Sequence, residues 1–209
     1  MADWATIASA ATAAGTLVLA AATYSSVRSA NRAARVAEQS LLIGLRPVLV
    51  SSHEQDPPIE VGWGDDYRVT LPGGRAVVEE TNGVIYLAIG LRNVGSGLAV
   101  LRSWTARGGR PEGQPIADVP LRPLEEFQEM QRDLYVPAGD AGYWHSAIRD
   151  REDPRVPALS RAIAEHEFIF VDLFYGDHEG GQPTVTRFGL RPDEEDRVWR
   201  ATAVRHTRL

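Results

Sequence analysis

Five histidines, His53, His145, His166, His178 and His206, are the residues best suited to hold a metal or move a proton near neutral pH. No two stand three or four positions apart, so none makes the helical pair that binds zinc. Asp177-His178-Glu179 gathers two carboxylates and an imidazole, where a hard cation could find oxygen ligands. It falls at a hairpin tip and reads as a solvated turn. Glu165-His166-Glu167 falls at a helix end and reads as surface. No serine sits in the Gly-x-Ser-x-Gly pattern that presents a nucleophile. The adjacent acids Asp65-Asp66, Glu79-Glu80, Glu125-Glu126 and Glu194-Glu195 do not make a glycosidase pair, which needs two carboxylates facing one cleft from separate elements. Pro72-Gly73-Gly74-Arg75 lacks the Lys-Ser/Thr of a phosphate loop, and Asn93 to Gly97 is not followed by a helical pattern. Both read as turns. The sequence thus assigns no catalytic, cofactor-binding or metal-binding residue.

Composition narrows the classes further. The chain of 209 residues suits one ordinary domain with an additional segment. It has no cysteine, which excludes disulfides, thiolate metal sites and cysteine nucleophiles within it. All 22 basic residues are arginine, a pattern expected of a GC-rich genome. Residues 1–46 hold Arg28, Arg32, Arg35 and Arg46 against Asp3 and Glu38, a net of +2; the rest is −8 of the total −6. That acidic remainder argues against nucleic acid as a partner, because phosphates require a basic face.

The additional segment is the N-terminal one. No charge interrupts Trp4 to Val27, and about 20 apolar residues cross a hydrocarbon core of roughly 30 Å. Trp4 and Tyr24 stand about that far apart in a helix and match the two interfacial belts. Arg28, Arg32 and Arg35 follow the apolar run. By the positive-inside rule they face the cytoplasm, and the soluble domain lies there with them. Two other readings stand beside the anchor. One is a signal peptide cut near Ala20 to Ala22, although its basic residues would then follow the apolar run instead of preceding it. The other is an Ala-rich helix buried in a soluble oligomer.

The helix continues past the span. Residues 25–43 lack Pro and Gly, and Gly44 and Pro47 signal its end. Val27, Ala30, Ala34, Ala37 and Leu41 alternate steps of three and four to make one apolar seam. With Ala11 and Gly15, a small-xxx-small pair, this seam predicts a homo-oligomer; the rival reading packs it against the chain's own soluble domain.

From residue 47 to 209 the texture changes to short apolar runs broken by turn residues, the signature of an antiparallel β-sandwich with one short helix. Strands are expected at Val48–Ser51, Tyr67–Leu71, Ala76–Glu79, Val84–Arg92, Leu98–Ala106, Leu134–Val136, Gly142–Ile148, Phe168–Tyr175 and Thr184–Leu190. The helix is expected at Pro157–Glu165. In Val84–Arg92, residues Ile85, Leu87, Ile89 and Leu91 face one way while Tyr86, Ala88, Gly90 and Arg92 face the other. The turn after it holds Gly95 and Gly97, both free to take positive φ. Arg197–His206 reads as a last strand or a tail helix. Trp104 is expected in the core. Trp63, between Gly62 and Gly64 beside Asp65-Asp66, is the candidate for an exposed partner contact.

The run Asn93-Val94-Gly95-Ser96-Gly97-Leu98-Ala99 resembles the Asn-x-Gly-x-Gly-x-Ala turn of bacterial immunoglobulin-like domains. The layout of one membrane helix, an Arg46-Pro47 junction and a sandwich is similar to that of uncharacterised bacterial single-pass membrane-anchored proteins. The resemblance implies architecture and no activity. The expected function is a membrane-tethered interaction or scaffold module for a protein partner. The competing class is a membrane-associated hydrolase using loop carboxylates or histidines.

Overall fold

The structure, a computed structural model, describes residues 4–109, 115, 118–193 and 199–209. The chain divides into two compact units, Met1–Gly44 and Leu45–Leu209.

The first unit is a single helix, α1 (Trp4–Gly44). Its apolar stretch is dotted with threonine and serine, and these bond back to their own helix. Thr12, Thr16 and Thr23 donate to the carbonyls of Ala8, Thr12 and Leu19, and Ser25 donates to that of Ala22. A hydroxyl satisfied this way does not need water. Ile7–Glu38 is long and apolar enough to cross a membrane.

The second unit is mainly β. Its strands are β1 (Leu49–Ser51), β2 (Ile59–Gly62), β3 (Arg68–Leu71), β4 (Arg75–Thr81), β5 (Val84–Asn93), β6 (Ala99–Gly108), β7 (Gln128–Val136), β8 (Ala141–Ile148), β9 (Ile169–Gly176), β10 (Thr184–Pro192) and β11 (Trp199–Arg208). One short helix, α2 (Val156–Ala164), precedes β9. All pairings are antiparallel. β8 takes one edge of β5 from Ile85 to Arg92; β4 takes the other from Val84 to Ile89, and β1 continues that edge. The second layer runs β11-β10-β9-β6-β7. The layers join where β11 meets β4, through Trp199 opposite Ala76 and Arg200 opposite Arg75. The sheet curls back on itself there, which makes the sandwich.

Between the layers lies the main core. Trp104 and Trp144 meet edge-to-face at 5.1 Å in its centre. Ile85, Leu87, Ile89 and Leu91 enter it from β5, and Leu159 and Ala162 of α2 close one end. The opposite residues of β5, Tyr86 and Ala88, belong to a second cluster. That cluster exists because the β2–β3 hairpin covers the outer face of β4, β5 and β8. The alternation along β5 therefore fills two cores, one on each face.

Asn93 ends β5 and holds four pieces of chain together. Fully buried, its Oδ1 accepts from the backbone N–H groups of Val48 (3.1 Å) and Gly95 (3.0 Å). Its Nδ2 donates to the carbonyls of Gly97 (2.7 Å) and Val136 (2.9 Å). The glycines of this turn serve a purpose the sequence did not suggest. Neither Gly95 nor Gly97 has positive φ. Instead, a Cβ on Gly95 would lie 2.2 Å from the Arg46 carbonyl, and one on Gly97 would lie 1.7 Å from that of Leu45. The glycines let the Leu45–Val48 junction pass against the turn.

Other expectations are adjusted. Pro72-Gly73-Gly74 is a turn, closed by the Arg75 N–H on the Pro72 carbonyl (3.3 Å), but the strands it joins do not pair with each other. β3 pairs with β2, not β4, so this segment crosses from the cover to the main sheet. β2 was not expected. Its four residues carry a charge in the middle and too few apolar positions to show a period. β7 starts six residues before the expected Leu134, because Gln128 to Asp133 hold a single apolar residue, Met130, and show no period. It is an edge strand, where charge discourages further pairing. Residues 199–208 form a strand, β11.

Candidate functional site

The chemistry-bearing residues mostly do structural work. The Asp177 carboxylate accepts from the backbone N–H of Glu179 (3.0 Å) and Gly181 (2.7 Å), so it closes its own turn. His166 has φ 53°, the left-handed stop of α2, with the Glu167 N–H returning to the Ala162 carbonyl. Asp65 accepts from Tyr86 Oη (2.7 Å) and Arg149 (3.1 Å). Glu79 pairs with Tyr67 and Glu126 with Arg122. Glu194-Glu195 lies outside the described residues. Among the described residues, no three histidines or acids gather as a metal site.

Trp63 is not the exposed contact expected of it. It is 7% exposed and lies among Tyr67, Tyr86 and His145, with ring centroids 5.2–5.5 Å away. Its indole N–H donates to the Ser146 carbonyl at 2.9 Å. β2 leads the chain out over β8, and the indole folds onto that strand's outer edge. Its flanking glycines and acids suggested a loop tip; the hairpin cover that buries it rests on β2, which carried no signal.

Beside Trp63 the sandwich stays open. β7 pairs with β6 and β8 with β5, but β7 and β8 do not pair with each other although only Pro137 to Asp140 separates them. A cavity of about 50 Å³ lies in this seam, lined by Trp63, Met130, Arg132, His145, Ser146 and Arg149 among others. His145 Nδ1 is buried without a partner there. Burial, and secondarily Arg132, lowers the His145 pKa. The seam thus offers a neutral imidazole, two guanidinium groups, an indole edge and two unpaired strand edges. That set suits recognition of an extended segment better than acid–base chemistry.

A second neutral histidine, exposed at the surface, ends a chain of hydrogen bonds that starts in the buried interior. The Leu49 N–H donates to Tyr175 Oη (3.1 Å), which lies 2.8 Å from Thr186 Oγ1, itself 2.8 Å from His206 Nδ1. If each hydroxyl passes its proton onward, Nδ1 is the acceptor and the ring is neutral. Burial, and then Arg46, lowers the His206 pKa. Both histidines are held below about 6.5 in the folded chain. The unfolded chain therefore binds more protons just below that value, so stability rises with pH through this interval. The urea midpoint should fall as pH drops from 7.5 to 5, and H145Q combined with H206Q should flatten the fall. An unchanged slope in the double variant would contradict this. Asp193, drawn down to about 2 by Arg200 and Arg75, acts only at much lower pH, where protonating it removes stability.

The residues singled out on α1 lie along it as the sequence placed them. Tyr24, Val27, Arg28, Ala30, Arg32, Ala34, Arg35 and Ala37 are exposed, as are Ala11 and Gly15. The side chains of Trp4 and Leu41 are outside the described set.

No family model, curated protein or solved structure matches this chain.

Proposed function

We propose that this chain is a membrane-tethered interaction module, held in a bacterial cell membrane by α1 with its β unit in the cytoplasm. One observation carries the reading: a helix long and apolar enough to cross a membrane joins a β unit that has its own core. The internally bonded hydroxyls of α1 support it, and Arg28, Arg32 and Arg35 after the apolar run supply the orientation. The β7–β8 seam is the surface that meets a protein partner. Among the described residues that line it, none is a carboxylate that would work with His145, which favours recognition over the competing hydrolase. Copies of α1 pair through the Val27–Ala30–Ala34–Ala37 seam, since the membrane aligns them and raises their local concentration.

Cell fractionation tests this. Full-length protein should stay in the membrane pellet after carbonate extraction, and protease outside intact cells should leave the β unit uncut. Cross-linking of those membranes should trap a dimer or higher form that A34E/A37E removes. Release by carbonate would reject the anchor. Cleavage from outside would reject the orientation, and monomers before any substitution would reject the pairing.

A further inference from the structure

The outer face of β6, β9 and β10 carries rows of facing side chains. Thr105, Asp172 and Arg187 stand directly opposite one another on the three strands, and Arg107 faces Phe170 in the next row. Arg187 is buried and fully engaged. Its Nε and Nη2 each donate to Asp172 at 2.7 Å, and its Nη1 and Nη2 reach the carbonyls of Val119 (2.6 Å) and Pro120 (3.2 Å). Arg107 is not engaged in this way. Its guanidinium stands 5.6 Å from the Phe170 ring centroid, and its buried Nη2 has no hydrogen-bond partner among the described residues. Thr105, 3% exposed, also leaves its Oγ1 buried and unpartnered.

Both groups line the same small cavity, along with Arg122. It measures about 10 Å³, room for the centre of one oxygen atom. Two buried hydrogen-bonding groups without partners are unfavourable, so the space calls for an oxygen that accepts from both. Charge selects which oxygen. Arg107, Arg122 and Arg187 bring three positive charges to the cavity and Asp172 brings one negative. Glu126 pairs with Arg122 at the exposed rim, so the excess is one positive charge, that of Arg107. Burial, then Arg187 and Arg122, lowers the Arg107 pKa, and Asp172 only partly offsets them. A water would satisfy the hydrogen bonds and leave that charge in place.

We propose that this cavity is a phosphate site, in which one phosphate oxygen enters between Thr105 Oγ1 and Arg107 Nη2 while Arg122 meets the remaining oxygens at the mouth. A phosphate oxygen supplies the anion that Arg107 lacks, and the tetrahedral oxygens suit donors arriving from a strand and a connecting segment. The phosphate belongs either to a small soluble compound or to a lipid headgroup.

The test uses full-length protein in a neutral detergent, at constant ionic strength set with chloride. Inorganic phosphate should broaden its own ³¹P resonance saturably and raise the thermal midpoint, whereas acetate should do neither. R107M and T105V should each weaken phosphate binding at least tenfold; T105V supplies the reading if R107M does not fold. If only phosphatidic acid in mixed micelles raises the midpoint, with the same dependence on Arg107 and Thr105, the source is lipid. The site is overturned if neither phosphate source binds, if acetate binds equally well, or if the folded variants bind as the parent does.

Discussion

Replacing Asn93 by leucine is expected to cost the β unit about 3–5 kcal/mol. The substitution keeps the volume and removes every polar atom. Four backbone groups then lose their partner: the N–H groups of Val48 and Gly95 and the carbonyls of Gly97 and Val136. A buried polar group left unmade costs about 1–3 kcal/mol, and four in one place do not add fully. Asn93→Asp is no rescue, because it keeps the two accepted bonds but turns both donated bonds into repulsion. Urea unfolding of the full chain in neutral detergent, followed by tryptophan fluorescence, measures the loss. A change under about 1 kcal/mol would show that the turn is held by its glycines alone.

Breaking the Asp172–Arg187 pair should be as damaging. Both side chains are nearly inaccessible, 5% and 3% exposed. D172L leaves a buried guanidinium with only carbonyls, and R187M leaves a buried carboxylate. Either should cost about 3–5 kcal/mol, because an uncompensated charge stays inside. The double variant removes both charges and should cost far less than the two single losses together. It loses the Arg187 bonds to Val119 and Pro120, so it does not return fully to the parent. A double loss equal to the sum of the single ones would show that the two side chains act independently, contrary to their geometry.

These two sites mark where reading the chain succeeded and where it stopped. The alternation through Val84–Arg92 was legible because period two is local; it divided the two faces of β5 correctly, but that both faces meet a core was not in it. α1 was legible for the same reason: uncharged length and a following glycine need no tertiary knowledge. The turn at Asn93 was legible as a turn, but its glycines answer to a chain segment some fifty residues earlier. The pairing of Asp172 with Arg187 was invisible, since it depends on the register between β9 and β10. The donors at Thr105 and Arg107 were missed likewise; an arginine two positions after a threonine on one strand is the only local trace. Trp63 was misread because its burial follows from β2.

The place of β11 in the sheet sets an order in time. This strand sits between β10 and β4 and, among the described residues, makes the strand pairing that joins the two layers, yet it comes after the other described strands. A ribosome delivers α1 before the β unit, and Trp199–Arg208 after the other described strands. Each layer can begin to pair as it emerges, but the seal between them waits for Trp199 and Arg200 at the start of β11. During synthesis, then, a helix long and apolar enough to cross a membrane is already made while the half-built sandwich still exposes Trp104 and Trp144. The nascent chain spends that interval as an open pair of sheets, the stage at which a holding chaperone would find apolar surface to grasp.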